Sequence, residues 1–306
     1  MEFGLALSQF TDRFEHAVAD AVLAEEVGLD SVWLADHLLG VADEDGPVLE
    51  AWTTLAFIAA RTERLRLGHL VNCVRYRNFG LLAKMATTLD LASAGRLDLG
   101  LGAGWYEREY RAFGFPFGGG GDRRRYFESY LRALIRLLDG ETVDHDEHGV
   151  RLEAARVRPL GPQRPHPPIV VGAGGRRMLE VAGSLADAWN CPAGMLAGLE
   201  EPQAIVRRAA GDRTVLTTIQ VPVTVGRTRE EADEALGLGR VHMAWMGDVA
   251  GDGIVGTVEE ALEKVVAYRK RGVSGLVAVL PGSRRRPDFV SAYGDLARRY
   301  RDEVRG

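Results

Sequence analysis

Asp36 and His37 form the adjacent pair of side chains in this chain that is best suited to proton transfer. A histidine exchanges protons near neutral pH, and this one follows the apolar run 31–35, whose composition predicts a buried strand. A strand end would hold the imidazole in the fixed position that acid–base catalysis requires. The same two residues also suit a structural role, in which the aspartate caps the backbone and the histidine binds a nearby carbonyl oxygen.

A second candidate group lies in the stretch 95–117, where the apolar run 97–101 breaks at glycines. Trp105, Tyr106 and Glu109 follow the break, and aromatic side chains near a carboxylate are typical of a small-molecule pocket. If this segment is helical, Glu109 lies one turn beyond Trp105 on the same face and its carboxylate is a candidate acid or base. The spacing alone favours a solvated charge on a helix.

A third candidate is the glycine-rich loop Gly172-Ala173-Gly174-Gly175-Arg176, which follows an apolar run and opens a helical pattern. Backbone N–H groups at a helix N-terminus attract anions, so the loop predicts a phosphate site. The alternative is a tight turn without a ligand. A nicotinamide-binding Rossmann domain is disfavoured, because Arg177 stands where the third glycine of its motif belongs, and Glu107 does so after Gly102-Ala103-Gly104.

Strand-like and helix-like runs alternate along the chain and must position these groups. Eight apolar runs, most of them followed by a helical pattern, are typical of parallel βαβ units. With 306 residues, they predict an α/β fold of the (β/α)8 TIM barrel type, with a doubly wound sheet as the alternative. We expect one domain over 1–306, with insertions around 105–125 and 140–168 and a hairpin over 143–157. The predicted strands cover 3–7, 31–35, 65–71, 97–101, 169–171, 188–190, 215–225 and 275–280.

In such a barrel the site lies at the carboxyl ends of the strands. This rule collects candidates from successive strand ends, namely Phe10, Asp36, His37, Asn72, Cys73, Trp105, Glu109, the glycine loop, Asn190 and Cys191. The run Arg284-Arg285-Arg286 after the last strand is either an acidic-ligand site or solvated surface. Trp245, with Met243 and Met246, either covers a pocket or packs in the core. His69, inside the third strand, is expected to be a core residue with its hydrogen bonds satisfied.

Composition excludes several classes of partner. The net charge is −5 and no basic run is long enough to grip a nucleic acid. No apolar run reaches membrane-spanning length, and the N-terminal residues do not resemble a signal peptide. The two cysteines, Cys73 and Cys191, do not form a metal-ligand pattern. We expect free thiols in a reducing cytoplasm.

Several segments resemble the bacterial luciferase-like monooxygenases, and most closely the branch that uses the deazaflavin coenzyme F-420. They are SVWLADH at 31–37, RLRLGHLV at 64–71, the stretch 78–117 and PPIVVGAGGRRMLEVAGSLADAWN at 167–190. The specific part is 83–117; the glycine loop alone would be a weak match. The resemblance extends over most of the chain, in matching order.

This resemblance implies a (β/α)8 barrel with a flavin or deazaflavin across its mouth, and a homodimer. It implies a bulge after the third strand that backs the cofactor ring, often with a non-prolyl cis peptide. His37 and Glu109 match the family's proton-transfer residues. The positions that match its cofactor contacts are Asp36, Leu70, Val71, Asn72, Gly172, Ala173, Gly174, Gly175 and Arg176.

The first functional hypothesis is therefore an oxidoreductase that passes a hydride between C5 of coenzyme F-420 and a carbon of a small organic substrate. The alternatives are an FMN-dependent monooxygenase that uses reduced flavin and O₂, and a flavin-binding protein without activity. The expected substrate pocket is apolar and of moderate size, lined by Phe10, Trp105, Tyr106, Asn190 and Trp245. The sugar-phosphate dehydrogenases of the branch that the chain resembles carry a lysine just after the sixth strand, and none occurs here in 190–194, which disfavours a sugar-phosphate substrate.

Overall fold

A computed structural model of the chain describes residues 1–41, 43–282 and 285–305. Strands and helices alternate throughout this part of the chain. The strands are β1 (Glu2–Ala6), β2 (Ser31–Leu34), β3 (Arg66–His69), β4 (Asn72–Cys73), β5 (Leu97–Gly102), β6 (Val143–Glu147), β7 (Val150–Ala155), β8 (Ile169–Gly172), β9 (Ala188–Cys191), β10 (Leu216–Gly226), β11 (Ile254–Thr257) and β12 (Gly275–Val279). The α-helices are α1 (Phe14–Glu26), α2 (Ala51–Ala59), α3 (Phe79–Ala92), α4 (Glu107–Ala112), α5 (Gly120–Leu138), α6 (Arg176–Leu185), α7 (Glu200–Ala210), α8 (Arg229–His242), α9 (Val258–Lys270) and α10 (Pro287–Arg305).

Eight parallel strands close into a barrel in the order β1, β2, β3, β5, β8, β9, β10 and β12. The last strand returns to the first, since Glu2 of β1 pairs with Gly275 of β12. This closure confirms the predicted TIM barrel and excludes the doubly wound sheet, which would leave two free edges. Each of the eight predicted strands supplies one barrel strand, although the third predicted run, 65–71, divides into β3 and the short β4.

Two sets of buried side chains fill the barrel and surround it, because successive strand residues point to opposite sides of the sheet. Trp33, Val170, Ala188 and Val277 form the cluster inside the barrel. A Cβ on Gly68 would overlap the Trp33 ring, so glycine at this position makes room for the indole. A much larger buried cluster lies between the strands and the surrounding helices.

Local signals explain several helix ends. Gly28, with φ of 82°, follows α1 in the left-handed conformation that commonly ends a helix. Capping boxes begin α8 and α9, where Thr228 pairs with Glu231 and Thr257 with Glu260. The predicted hairpin is also confirmed, because β6 and β7 pair antiparallel across His148 and Gly149, both with positive φ.

The barrel strands run from β1 near the start of the chain to β12 near its end. The insertion expected around 105–125 contains α4 and the start of α5, and the one around 140–168 contains the hairpin. The assignment of the whole chain to one domain stays a prediction. No helix in the described ranges has both the length and the apolar character needed to cross a membrane.

Candidate active site

The chain bulges where β3 gives way to β4, at the carboxyl end of the barrel. The peptide bond between Leu70 and Val71 is cis, as the family resemblance implies. Three glycines leave space for this bulge. A Cβ on Gly100 would overlap the carbonyl oxygen of His69, one on Gly102 would overlap Val71, and one on Gly172 would lie 2.9 Å from Val71. The glycines of β5 therefore accommodate the neighbouring backbone and side chain.

His37 and Glu109 meet at this end of the barrel. His37 follows β2 and Glu109 lies in α4, and the Nδ1 atom of His37 is 3.0 and 3.1 Å from the two carboxylate oxygens. An ionised carboxylate only accepts hydrogen bonds, so Nδ1 carries the proton in this contact. In the part of the chain that the structure describes, Nε2 of His37 has no hydrogen-bond partner. This atom is the one left for chemistry.

Glu109 is buried and hydrogen-bonded on both oxygens. The backbone N–H groups of Leu38 and Leu39 donate to Oε1 at 2.8 and 2.9 Å, and the Tyr76 hydroxyl donates to Oε2 at 2.6 Å. Burial opposes ionisation, but hydrogen bonds from His37, Tyr76 and Leu39 outweigh it and hold the pKa of Glu109 below its ordinary value.

The suggestion that Glu109 and Trp105 share a helix face is wrong. Helix α4 begins at Glu107, after the tryptophan. Glu109 is 1% exposed, whereas Trp105 is 62% exposed. The carboxylate is therefore not a solvated helix charge, and it stands behind His37 rather than beside the tryptophan.

Aromatic side chains surround His37 on its open side. The ring centres of Phe10, Trp105 and Tyr106 lie 6.4, 5.8 and 6.3 Å from the centre of the imidazole. Trp105 stacks on Tyr106, and both Phe10 and Trp105 are exposed. These three predicted pocket residues thus lie together around the candidate base.

The loop between β2 and α2 is tied to the same wall. Glu44 accepts a hydrogen bond from the Tyr106 hydroxyl at 3.0 Å and another from Nε of Arg108 at 3.1 Å. The buried side chain of Gln9 bonds to the backbone of Ala35 and Leu49 at the two ends of this loop. The wall and the His37 loop are therefore held in one arrangement.

Asp36 and Asn72 lie at the same end of the barrel. The side chain of each already forms hydrogen bonds with neighbouring protein groups. Arg77 donates to both oxygens of Asp36 at 2.6 and 3.0 Å, and the Cys73 N–H donates at 2.9 Å. Asn72 accepts from the Trp52 indole at 2.7 Å and donates to the Gly100 carbonyl at 2.8 Å. These bonds fix the bulge between its neighbours, and a cofactor contact by either residue stays a prediction.

The glycine loop joins β8 to α6, as predicted. Gly172 ends the strand, Gly175 caps the helix, and Gly174, Gly175 and Arg176 are exposed. Ala173 is buried and its carbonyl accepts the Trp189 indole N–H at 2.8 Å. The first N–H groups of a helix have no partner within it, so this exposed loop can receive an anion.

Asn190 and Trp245 are the remaining predicted pocket residues. Asn190 is buried in β9 and donates to the Thr218 hydroxyl at 2.9 Å. Trp245 is 63% exposed, whereas its neighbours Met243 and Met246 are buried with Ala193. Ala193 follows β9, which places Trp245 near the carboxyl end of the barrel. The structure does not bring either residue into contact with His37.

Two other sequence predictions have different outcomes. Arg285 pairs with Asp20, and Arg286 pairs with Glu234 and Asp288, so neither guanidinium is available for an acidic ligand without breaking an ion pair; Arg284 lies outside the described residues. The expectation of satisfied hydrogen bonds at His69 is wrong. Its buried ring packs on Trp52, and neither nitrogen bonds to any residue in the described ranges; burial lowers its pKa to about 3, so it is neutral.

Cys73 and Cys191 are both free and buried. Among the described residues, no group of three or more His, Cys, Asp or Glu side chains is arranged to hold a metal ion. Tyr76 and Arg77 are the site residues that sequence reasoning missed. Both follow β4, and extending the strand-end rule a few residues would have included them.

Comparison with known proteins agrees with this architecture. A family model described as luciferase-like monooxygenase matches residues 1–250. The chain is similar to an F420-dependent hydroxymycolic acid dehydrogenase of Mycobacterium tuberculosis (strain ATCC 25618 / H37Rv), with 29% identity over 228 residues, 74% of this chain and 61% of that protein. It is also similar to an F420-dependent glucose-6-phosphate dehydrogenase of Amycolatopsis mediterranei (strain U-32), with 30% identity over 224 residues, 70% of this chain and 66% of that protein. The chain thus spans less than two thirds of the length of these relatives.

Solved structures show the same fold. An F420-dependent secondary alcohol dehydrogenase in complex with an F420-acetone adduct matches with a TM-score of 0.82 and 17% identity, over 98% of this chain and 99% of that one. A type II Baeyer-Villiger monooxygenase of Pseudomonas putida in complex with FMN matches with a TM-score of 0.80 and 18% identity, over 96% of both chains. Since the family model covers well over half of its residues, the chain belongs to the luciferase-like monooxygenase family.

Proposed function

We propose that this protein is an oxidoreductase that binds coenzyme F-420 at the carboxyl end of the barrel and acts on a small organic carbonyl compound or alcohol. The observation that carries the proposal is the His37–Glu109 pair, which leaves Nε2 of His37 without a hydrogen bond to any described residue, inside an aromatic wall. The F420-dependent relatives support the choice of cofactor.

The residues present fit a phosphate-bearing cofactor with a flat ring. Gly102 and Gly172 leave the Val71 side chain room at the bulge, so that Leu70 and Val71 would back the ring. The exposed N–H groups from Gly174 to Arg176 would hold the phosphate. When bound, the deazaflavin would supply hydride transfer at C5.

The protein side of the reaction falls to His37. Its Nε2 would accept the proton of an alcohol or return it to a carbonyl oxygen. Glu109 would hold the proton on Nδ1 and orient the ring without touching the substrate, since its own oxygens are fully bonded. The exposed rings of Phe10, Trp105 and Trp245 would bind the apolar part of the substrate and exclude water.

A direct binding titration separates the two cofactors. We expect purified protein to bind coenzyme F-420 with micromolar affinity, and FMN at least about tenfold more weakly. Fluorescence titration measures both affinities. Micromolar affinity for FMN without binding of coenzyme F-420 would favour the monooxygenase alternative, which the FMN-bound neighbour makes reasonable.

A matched pair of variants tests whether the glycine loop binds the phosphate of the cofactor. Gly174→Asp adds a negative charge to the exposed loop and should abolish binding of either cofactor, while Gly198→Asp, at another exposed glycine, should leave it unchanged. Equal binding by both variants would remove the glycine loop from the proposal. Cofactor binding without turnover over a wide substrate panel would support the non-enzymatic alternative.

A further inference from the structure

We propose that Tyr76 is a positioning residue, whose hydroxyl completes the set of donors that keeps Glu109 ionised and turned toward His37. The inference rests on the proposed role of His37 in proton transfer. Tyr76 lies between β4 and α3, outside every motif that the sequence suggested.

The donors to Glu109 approach from two sides. Leu38 and Leu39 hold Oε1 through their backbone N–H groups, whereas the hydroxyl of Tyr76 holds Oε2 at 2.6 Å. Without Tyr76, the one contact left to Oε2 in the described part of the chain would be that with Nδ1 of His37 at 3.1 Å. A carboxylate fixed at both oxygens cannot rotate, so the plane that it presents to the imidazole is set by Tyr76 together with the loop.

Tyr76 is itself held in place. Its N–H closes a turn onto the Cys73 carbonyl at 3.1 Å, and its ring packs against Phe115 at 4.8 Å and Tyr110 at 5.4 Å between ring centres. Burial, then the neighbouring Cys73 and Glu109, raise the pKa of Tyr76, so the phenol stays protonated and donates. The hydroxyl is therefore a fixed donor rather than a source of protons.

The groups facing Glu109 are few. His37 contacts it from the β2 loop and Tyr76 from the segment after β4. The neighbouring Tyr110 directs its hydroxyl to Cys73 at 2.9 Å and to the Ala103 carbonyl, and so does not bond to the carboxylate. On α4, Arg108 is paired with Glu44. Tyr76 is thus the neutral side-chain donor to test.

The test is a ¹³C NMR titration of the Glu109 carboxyl carbon in cofactor-free protein, assigned with Glu109→Gln. In Tyr76→Phe the carboxylate loses a hydrogen bond to its charged form. We expect its titration midpoint to rise by about one pH unit. Tyr110→Phe is the matched control, because it removes a hydroxyl from the adjacent ring without touching Glu109 and should leave the midpoint in place.

An unchanged midpoint in Tyr76→Phe, or an equal rise in Tyr110→Phe, would overturn the inference. The wild-type protein supplies a second measurement should the variant not fold, since a midpoint at or above 4.5, the ordinary value, would also overturn it. The titration needs neither cofactor nor substrate. Failure of coenzyme F-420 to bind would therefore count against the proposed function and not against this role of Tyr76.

Discussion

His37 and Glu109 differ at the residue scale in a way that their side-chain chemistry does not reveal. Both can transfer protons, but the His37 side chain is 16% exposed and that of Glu109 only 1%. Among the residues that the structure describes, four donors bond to the carboxylate, whereas the imidazole bonds through Nδ1 alone. We infer that the histidine meets the substrate and the glutamate orients the histidine.

Replacing His37 should separate chemistry from binding. In His37→Ala we expect turnover to fall by about 10²- to 10⁴-fold, the usual contribution of an acid–base group. The affinity for coenzyme F-420 should change by less than about threefold, since the proposed phosphate and ring contacts lie on other elements. Steady-state kinetics on the best substrate of a ketone panel, with reduced coenzyme F-420, measures the first, and fluorescence titration the second.

His16→Ala is the control, because His16 lies in α1 outside the candidate site. It should keep the wild-type rate. Unchanged kinetics in His37→Ala would remove His37 from the mechanism.

Residue types predicted part of this site. A histidine at a strand end and aromatics after a glycine break were sufficient to select His37, Trp105 and Glu109. Tyr76 and Arg77 were not predictable in this way, because their partners Glu109 and Asp36 lie 33 and 41 residues away. Only the barrel, which brings successive strand ends to one mouth, makes them neighbours.

At the scale of elements, the barrel strands were predictable and several helices were not. Strands buried on both faces are apolar throughout, and a single sequence is enough to recognise such a run. Some helices carry a weaker sequence pattern than the strands do. Helix α2 has no charged residue among its nine, so it lacks a polar face to reveal its period. β11 was not predicted because Gly256 and Thr257 make up half of its four residues and leave no apolar run; it pairs outside the closed barrel, on β10.

The glycines of β5 show that a glycine near a strand end does not by itself identify an anion site. Glycines after a strand suggest anion binding, yet Gly100 and Gly102 are needed because the bulge passes close to them. The same residue type serves a backbone approach at one strand end and an open anion loop at another. Only the coordinates of the neighbouring strand distinguish the two.

Gly102→Ala tests this steric role. A Cβ at this position would overlap Val71, so the bulge must shift or the strand must deform. We expect the free energy of unfolding to fall by about 1–3 kcal/mol, as for other overpacked sites, together with weaker binding of coenzyme F-420. Urea unfolding and fluorescence titration measure the two effects.

Gly198→Ala is the matched control, because a Cβ there meets nothing within 4 Å. Its stability should stay within about 0.5 kcal/mol of the wild type. Wild-type stability and affinity in Gly102→Ala would contradict the steric explanation.

At the scale of the whole molecule, the two ends of the barrel carry different groups of polar side chains. The carboxyl end gathers the bulge, the glycine loop and the His37 pair. Near the amino end, Arg66 of β3 donates to both oxygens of Asp98 in β5 at 2.8 and 2.5 Å, and also to the side chain of Gln163. Activity is expected to depend on the first group and stability on the second.

A homodimer and a cytoplasmic location stay predictions. Sedimentation of the purified protein would measure its oligomeric state.

Arg66→Met should destabilise the protein without affecting the site. Burial raises the pKa of Asp98 above its ordinary value of 3.8, and Arg66 offsets part of this rise. Without the arginine the folded-state pKa rises further, so the variant is least penalised at low pH and loses stability as the pH increases through that raised value. Since the pair is only partly buried, we expect a loss of about 2 kcal/mol at pH 8 and a smaller one at pH 5, measured by urea unfolding.

Arg132→Met, which breaks an exposed pair with Glu128, is the control and should lower the free energy of unfolding by less than about 0.5 kcal/mol at both pH values. The affinity of Arg66→Met for coenzyme F-420, measured at a pH where it is folded, should equal that of the wild type. A matching loss of affinity would show that the two ends are coupled through the barrel interior.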